Sequence, residues 1–215
     1  MTEDGAGLAA YNDFRAARPE LFVNPPDAAF EIVFDPAVQR SAGAGLIYRD
    51  PYIVLLRDAV RFRNGAVAPY IRMIPAAGQG GAAVLPIIDG NIVLVLHERH
   101  ATRQRHWEIP RGFAAPGEPP EETARREIAE EIGIPEPEII AIGSVHPDTG
   151  ATNVHTRLYL ARITGVGRVE EGEGIDTLKQ VTLGELDAML RAEQITDSFT
   201  LAAILQARAR GLIGA

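Results

Sequence analysis

Cysteine is absent from this chain of 215 residues, which rules out disulfides, thiol chemistry and a zinc-thiolate centre. Long apolar runs are absent too. No stretch approaches the 18 or so consecutive apolar residues that a membrane-spanning helix needs, and MTEDGAGLAAYNDF at the start has neither a basic opening nor an apolar core. Neither secretion nor membrane insertion is expected, and a cytoplasmic protein is. Basic charge is in deficit. With 21 Lys and Arg against 29 Asp and Glu, the formal net charge is -8, and nonspecific nucleic-acid binding by counterion release lacks the basic face it requires. There is no internal repeat and no low-complexity tract. The composition is that of a soluble globular protein, 46% hydrophobic and 23% charged, long enough for one large domain or a main domain with a smaller companion.

The order of elements points to the second arrangement. LAAYNDFRAARPEL reads as a short helix stopped by Pro19, and Asn24-Pro25-Pro26 as a turn. Ala29 to Phe34, Tyr52 to Leu56 and Tyr70 to Ile74 carry the β-branched and aromatic content of strands, with turns expected near Arg57-Asp58 and Asn64-Gly65. They predict an N-terminal β-strand subdomain over residues 1–78, with the short helix leading it. A Gly- and Ala-rich connector, Ala76 to Gly81, then opens the main domain, residues 79–215. There, Ala82 to Ile88 and Ile92 to Leu96 flank Asp89-Gly90-Asn91, a strong hairpin signal. Further strands are expected at His106 onward, Ile139 to Val145, Val154 to Ile163 and Leu178 to Thr182, with helices at Glu121 to Ile132, Leu183 to Arg191 and Asp197 to Arg210. Strands and helices mixed without regular βαβ alternation predict an α+β fold, a mixed sheet between helices.

The chemistry concentrates in Gly112 to Ile134, GFAAPGEPPEETARREIAEEIGI. Pro119-Pro120 open a run of helix formers that closes at Gly133. Glu127, Glu130 and Glu131 fall on one stripe of that helix, and Ala124, Ile128 and Ile132 form a neighbouring apolar stripe. Like charges three and four residues apart oppose the helix, and the Arg126–Glu130 pair offsets only part of that, so an oxygen-ligated divalent cation such as Mg2+ or Mn2+ is the expected remedy. Solvated glutamates would need no fixed spacing. Here Gly112, Glu118, Arg126-Glu127, Glu130-Glu131 and Gly133 stand in the order G-x5-E-x7-R-E-U-x-E-E-x-G-U, with Ile128 and Ile134 as the aliphatic U positions.

That spacing resembles the Nudix box at every specified position. The preceding Trp107-Glu108-Ile109-Pro110-Arg111-Gly112 and the extra N-terminal strands are similar to the ADP-ribose pyrophosphatase branch of the Nudix hydrolases. The resemblance implies the Nudix fold, an α/β/α sandwich, and a homodimer in which N-terminal strands help build the neighbour's active site. It implies that Glu127 and Glu131 are the main metal ligands, that Glu130 is a further ligand and that the carbonyl of Arg111 completes the set. Arg126 corresponds to a structural partner of the carboxylates, Glu118 to a support for the loop or a metal-bound water, and Arg99 and Glu108 to substrate-binding positions.

The reaction implied is Mg2+-dependent hydrolysis of a nucleoside diphosphate linked to another group, giving a nucleoside monophosphate and the phosphorylated group. A water-activating base is expected on the late acidic loop Glu170 to Gly174, with Glu171 the first choice and Glu173 the second. ADP-ribose or another nucleoside diphosphate sugar is the leading substrate. Thr149 stands where many ADP-ribose-specific members carry proline, which leaves dinucleotides and dinucleoside polyphosphates open. The alternative is a nucleotide-sugar sensor that does not cleave. Of the five histidines, His97 and His100 are expected in surface or packing roles, and Trp107 in the core.

Overall fold

The computed structural model describes residues 4–76, 80–169, 172 and 174–214. They fall into two compact units, Met1–Gly78 with Asp148–Asn153, and Gln79–Pro147 with Val154–Ala215.

The first unit contains α1 (Asp4–Ala17), a 3-10 turn (Pro19–Phe22), β1 (Phe30–Ile32), α2 (Pro36–Ser41), β2 (Gly45–Arg49), β3 (Ile53–Phe62) and β4 (Val67–Pro75). β3 is its spine. β4 pairs along its whole length, while β2 takes the first half of the other edge and β1 the second half. Tyr11, Phe14, Phe22, Val54, Leu56 and Ile74 form the core, so the apolar side of α1 packs against alternate residues of β3. Asn64-Gly65 does make the turn between β3 and β4, with Gly65 at φ 83°. Arg57-Asp58 does not turn; both lie inside β3. The reason is charge compensation: Asp58 is buried, but it accepts from the Tyr11 hydroxyl at 2.5 Å and from Arg72 Nε at 2.5 Å, so a residue that usually marks a turn is held within a strand. The short α2 and β2 lie outside the expected elements, although Asp35 followed by Pro36 is a helix-start signal and Asp35 does accept from the amides of Ala37 and Val38.

The hexapeptide Asp148–Asn153 belongs to this unit despite its distance in sequence. The amide of Met73 on β4 donates to Ala151 O at 2.8 Å, and the Tyr70 hydroxyl donates to Gly150 O at 3.1 Å.

The second unit contains β5 (Gly81–Ile88), β6 (Asn91–Arg99), β7 (Gln104–Glu108), β8 (Arg111–Phe113), α3 (Pro120–Ile132), β9 (Glu138–Val145), β10 (Thr156–Arg162), β11 (Ile175–Val181), α4 (Leu183–Arg191) and α5 (Ser198–Ala209). The strand order is β11-β6-β5-β10-β9, with β7 on β6 and β8 on β5. β5 and β10 run parallel and the other pairs antiparallel, which makes the sheet mixed.

Alternation along the strands places an apolar set on each face. Val84, Val93 and Val95 pack with Ala124, Ile128 and Ile132 of α3. Leu85, Leu94 and Leu160 pack with Leu186 and Met189 of α4 and with Ala203, Ile204 and Ala207 of α5. The result is the expected α/β/α sandwich. Full burial of a side chain such as Ile128 contributes about 1.5–3 kcal/mol, so the anchoring stripe of α3 holds the helix firmly on the sheet. Trp107 packs against the α4/α5 side, in keeping with a core role.

The hairpin at Asp89-Gly90 is a two-residue turn with both φ angles positive, 50° and 79°, as the right-handed strand twist prefers. Its strands then part after Ile87↔Ile92 and Ile88↔Asn91. β6 goes on to pair with β7, and β5 with β8. The split carries the chain across the sheet at Ile109-Pro110. Among the described residues no helix is long and apolar enough to cross a membrane.

Candidate active site at the glutamate helix

α3 begins behind Pro119-Pro120 and ends at Gly133, whose amide donates to Ala129 O and Ile128 O and whose φ of 77° turns the next amide, that of Ile134, back to Ile128 O at 3.4 Å. A side chain there would meet the backbone of Arg168 at 2.6 Å, so close packing reinforces the same requirement. Between these ends Glu127 and Glu131, successive turns of one face, are 5% and 2% exposed. Two carboxylates this deep need compensating charge or hydrogen bonds.

Arg126 supplies part of it. Its Nη1 lies 2.7 Å from Glu127 Oε1 and 2.9 Å from Glu130 Oε2, its Nε lies 3.3 Å from Glu118 Oε1, and its Nη2 donates to Phe113 O at 3.0 Å. Burial opposes the guanidinium charge, but the hydrogen bond to Glu118 and the charges of Glu127, Glu130 and Glu118 outweigh it and raise its affinity for the proton. Glu118 in turn accepts from the amide of Ala115 at 2.9 Å and from the Thr123 hydroxyl at 2.9 Å. The Ala115 amide, with help from Arg126 and Thr123, holds its carboxyl below the ordinary range. Glu118 thereby fastens the loop before α3 to the first turn of the helix.

Gly112 completes the contact from the strand side. A Cβ at this position would lie 1.9 Å from Glu127 Oε1, and a Cβ at Gly81 on the adjacent strand would lie 1.8 Å from Gly112 O. Glycine is required at 112 by space rather than by conformation, since it has no positive φ; Gly117, at φ 79° with open space around it, is the conformational case.

The oxygen donors of Glu127 and Glu131 and the nearby Arg111 backbone suit a hard divalent cation. Among the described residues, no group of three acidic or imidazole side chains forms a cage. Mg2+ ordinarily takes one or two carboxylates and keeps waters and substrate phosphates, so the donor set fits that ion in an open arrangement.

Beside the helix, Arg99 and Glu108 meet each other: Nη2 donates to Glu108 Oε2 at 2.6 Å and Nε at 3.0 Å. Arg111 Nη2 lies 3.3 Å from the same oxygen and 3.4 Å from Asp197 Oδ1, with its guanidinium 4.6 Å over the Phe199 ring. His97, on the same strand face as Val93 and Val95, is buried and its Nδ1 has no hydrogen-bond partner. Burial, then the charges of Arg99 and Arg111, lower its pKa to about 4, so the ring is neutral. The Glu98 amide donates to Gly174 O at 2.8 Å, which ties the end of the acidic loop to β6. Glu98, His100, Arg103, Gly172, Gly174 and Asp176 border an open cleft of about 610 Å³ there. Glu171 and Glu173 lie outside the described residues.

The NUDIX domain family model matches residues 78–201, more than half of the chain. The chain belongs to the Nudix family. It is a Nudix pyrophosphohydrolase with the Nudix fold, and α3 is its box helix. An ADP-ribose pyrophosphatase of Mycobacterium tuberculosis is 30% identical over 162 residues, covering 72% of this chain and 76% of that one. An ADP-ribose pyrophosphatase of Bacillus subtilis is 29% identical over 130 residues, 58% of this chain and 70% of that one. A solved ADP compounds hydrolase superposes with a TM-score of 0.67 at 18% identity, over 79% of this chain and 92% of its own, a likeness of fold.

Within the Nudix unit, Glu118, Arg126, Glu127 and Glu130 come together with the backbone at Phe113, and Arg99, Glu108 and Arg111 form a second group. Asp197, Phe199 and Thr200 are neighbours of the site that sequence reasoning misses. An Asp three residues before a Thr at a helix start is a capping signal, and it identifies the cap without revealing what else the cap touches.

Proposed function

We propose that this Nudix enzyme hydrolyses the diphosphate of a nucleoside diphosphate joined to a sugar, with ADP-ribose the leading substrate and Mg2+ (or Mn2+) the cofactor. The observation that carries the reading is the pair of buried carboxylates, Glu127 and Glu131, with Gly112 cut away to admit the first. The names of the two bacterial relatives support ADP-ribose as the first substrate to try.

Glu127 and Glu131 would hold the ion, with Glu130 and the Arg111 carbonyl contributing directly or through water. Mg2+, when bound, supplies positive charge against the diphosphate oxygens and acidity to water. Arg126 pairs with Glu127 and Glu130 and keeps both carboxylates aimed. Arg99, braced by Glu108, presents a guanidinium to phosphate. Glu171, or Glu173 in its place, accepts the proton of the attacking water; the new bond forms from water oxygen to phosphorus, the anhydride P–O bond breaks, and a nucleoside monophosphate leaves with a phosphorylated sugar. The open cleft beside His100 and Arg103 gives the sugar room.

The same reading makes the working unit a homodimer in the cytoplasm, where nucleoside diphosphate derivatives are made and consumed. Tyr48, Tyr52 and Ile71 of the first unit, 49%, 76% and 50% exposed, are large apolar side chains that a second copy would cover. Sedimentation tests that part. The test of the function is a panel of ADP-ribose, nucleotide sugars, dinucleotides and nucleoside triphosphates with Mg2+ or Mn2+. AMP and ribose 5-phosphate from ADP-ribose are the expected products. No cleavage of any nucleoside diphosphate derivative with either metal would refute the proposal.

A further inference from the structure

We propose that Asp197 and Thr200, at the head of α5, are positioning residues for the metal side of the reaction. This role rests on the pyrophosphohydrolase function with Glu127 and Glu131 as metal ligands.

The split hairpin creates the need for them. Between Glu108, the last residue of β7, and Arg111, the first of β8, the chain changes partner strands, from β6 to β5. Pro110 has no amide to offer, and its carbonyl is taken by the Val84 amide at 2.9 Å. Ile109 is fully buried at the crossing, so its amide needs a partner that the sheet does not supply. Thr200 is that partner: its hydroxyl, itself fully buried, accepts from Ile109 N at 3.0 Å. The hydroxyl proton goes to Asp197 Oδ2 at 2.8 Å, and the same oxygen accepts the Thr200 amide at 2.9 Å. The other oxygen of Asp197 faces Arg111 Nη2 at 3.4 Å.

One helix cap therefore grips the crossing twice, through the Ile109 amide and through the Arg111 side chain. The Arg111 carbonyl and then Gly112, which borders Glu127, come next along the chain. A shift of this backbone moves one side of the cation's donor set relative to α3. An ordinary N-cap stabilises only its own helix; this one also sets the distance between strand and box helix.

The test compares Thr200→Val, which keeps the shape and deletes the hydroxyl, with Thr200→Ser, which keeps the hydroxyl, and with Asp197→Asn. Mn2+ affinity is measured without substrate by electron paramagnetic resonance, and kcat and KM are measured across an Mg2+ titration. Partners bonded directly to metal ligands alter affinity or activity about 10–100-fold, and the lower end of that range is expected of residues that hold the backbone beside a ligand. Thr200→Val is expected to weaken Mn2+ binding about tenfold or more and raise the half-saturating Mg2+ alike, with KM at saturating Mg2+ changed less than about threefold; Thr200→Ser should restore most of the loss. Asp197→Asn should fall between them. A folded Thr200→Val with wild-type Mn2+ affinity and Mg2+ dependence overturns the inference, and so does a Thr200→Ser as defective as Thr200→Val. Should Thr200→Val fail to fold, Thr200→Ser and Asp197→Asn decide: wild-type metal affinity in Asp197→Asn overturns it equally. A wild-type protein that binds no Mn2+ and cleaves nothing instead removes the functional proposal, and this inference with it.

Discussion

Changing Gly112 to Ala separates activity from stability. The added methyl carbon would lie 1.9 Å from Glu127 Oε1, 2.3 Å from its carboxyl carbon and 2.6 Å from Oε2. Restoring an ordinary contact requires the carboxylate to retreat by about 1.5 Å, because non-bonded heavy atoms settle near 3.5 Å. The three nearest atoms in the way all belong to the far end of one side chain, and Gly112 has no positive φ, so the fold loses little. Replacing a compatible glycine even recovers about 0.4–1 kcal/mol through the unfolded chain. A displaced carboxylate also leaves Arg126, which it meets at 2.7 Å. Misplacement of about 1 Å at a reacting centre costs on the order of 100-fold in rate. The expected result is a protein melting within about 4 °C of wild type, with kcat/KM lowered on the order of 100-fold, about 2.7 kcal/mol of barrier. Steady-state kinetics with Mg2+ and a thermal melt read both. Wild-type kcat/KM in Gly112→Ala would mean that the strand backbone yields and that the close approach has no bearing on Glu127, contrary to the role given to Gly112.

Glu131→Gln should lower Mg2+-dependent turnover by at least about 100-fold, more than loss of an indirect partner does, with an unchanged circular dichroism spectrum; full activity would contradict the ligand role. Glu171→Gln should slow kcat by about 10²–10⁴-fold while the half-saturating Mg2+ stays put, and an unaltered rate passes the role to Glu173. His97 sets a pH dependence of stability. Its folded pKa of about 4 lies below the ordinary 6.5, so its contribution is full above pH 6.5 and is lost as the pH falls toward 4, where the unfolded chain takes a proton that the fold refuses. The loss amounts to about 3 kcal/mol. Urea unfolding of His97→Gln between pH 7 and pH 4 should show a shallower decline than wild type, and identical slopes would mean that the imidazole is protonated without penalty.

The box helix is legible in the sequence because its determinants are local. Ala124, Ile128 and Ile132 recur at the spacing of one helical face, Gly133 stops the helix, and all three apolar residues are fully buried on the sheet. The hairpin turn is equally local. Its two strands are expected to stay paired, and they part because β7 and β8 compete for the same edges, a contest that no short window reveals. Asp58 reads as a turn because its neutralising partners are Tyr11 and Arg72, residues remote in sequence. The same holds for the site. Arg126 and Glu130 lie four apart and pair as their spacing predicts, whereas Thr200 reaches Ile109 across 91 residues. Arg99 and Glu108, expected at substrate-binding positions, also meet each other across the β6–β7 hairpin, a contact that neither residue's immediate neighbours in the sequence reveal.

The hexapeptide Asp148–Asn153 has a consequence for biosynthesis. The partner of the Met73 amide and the acceptor for Tyr70 are encoded some 80 residues after the strand they serve. During translation the N-terminal unit must wait, with that part of β4 unsatisfied, until the ribosome has delivered residues 79–147, about half of the catalytic unit. Expressed alone to residue 78, it would carry a bare strand edge at Met73, a template for self-association.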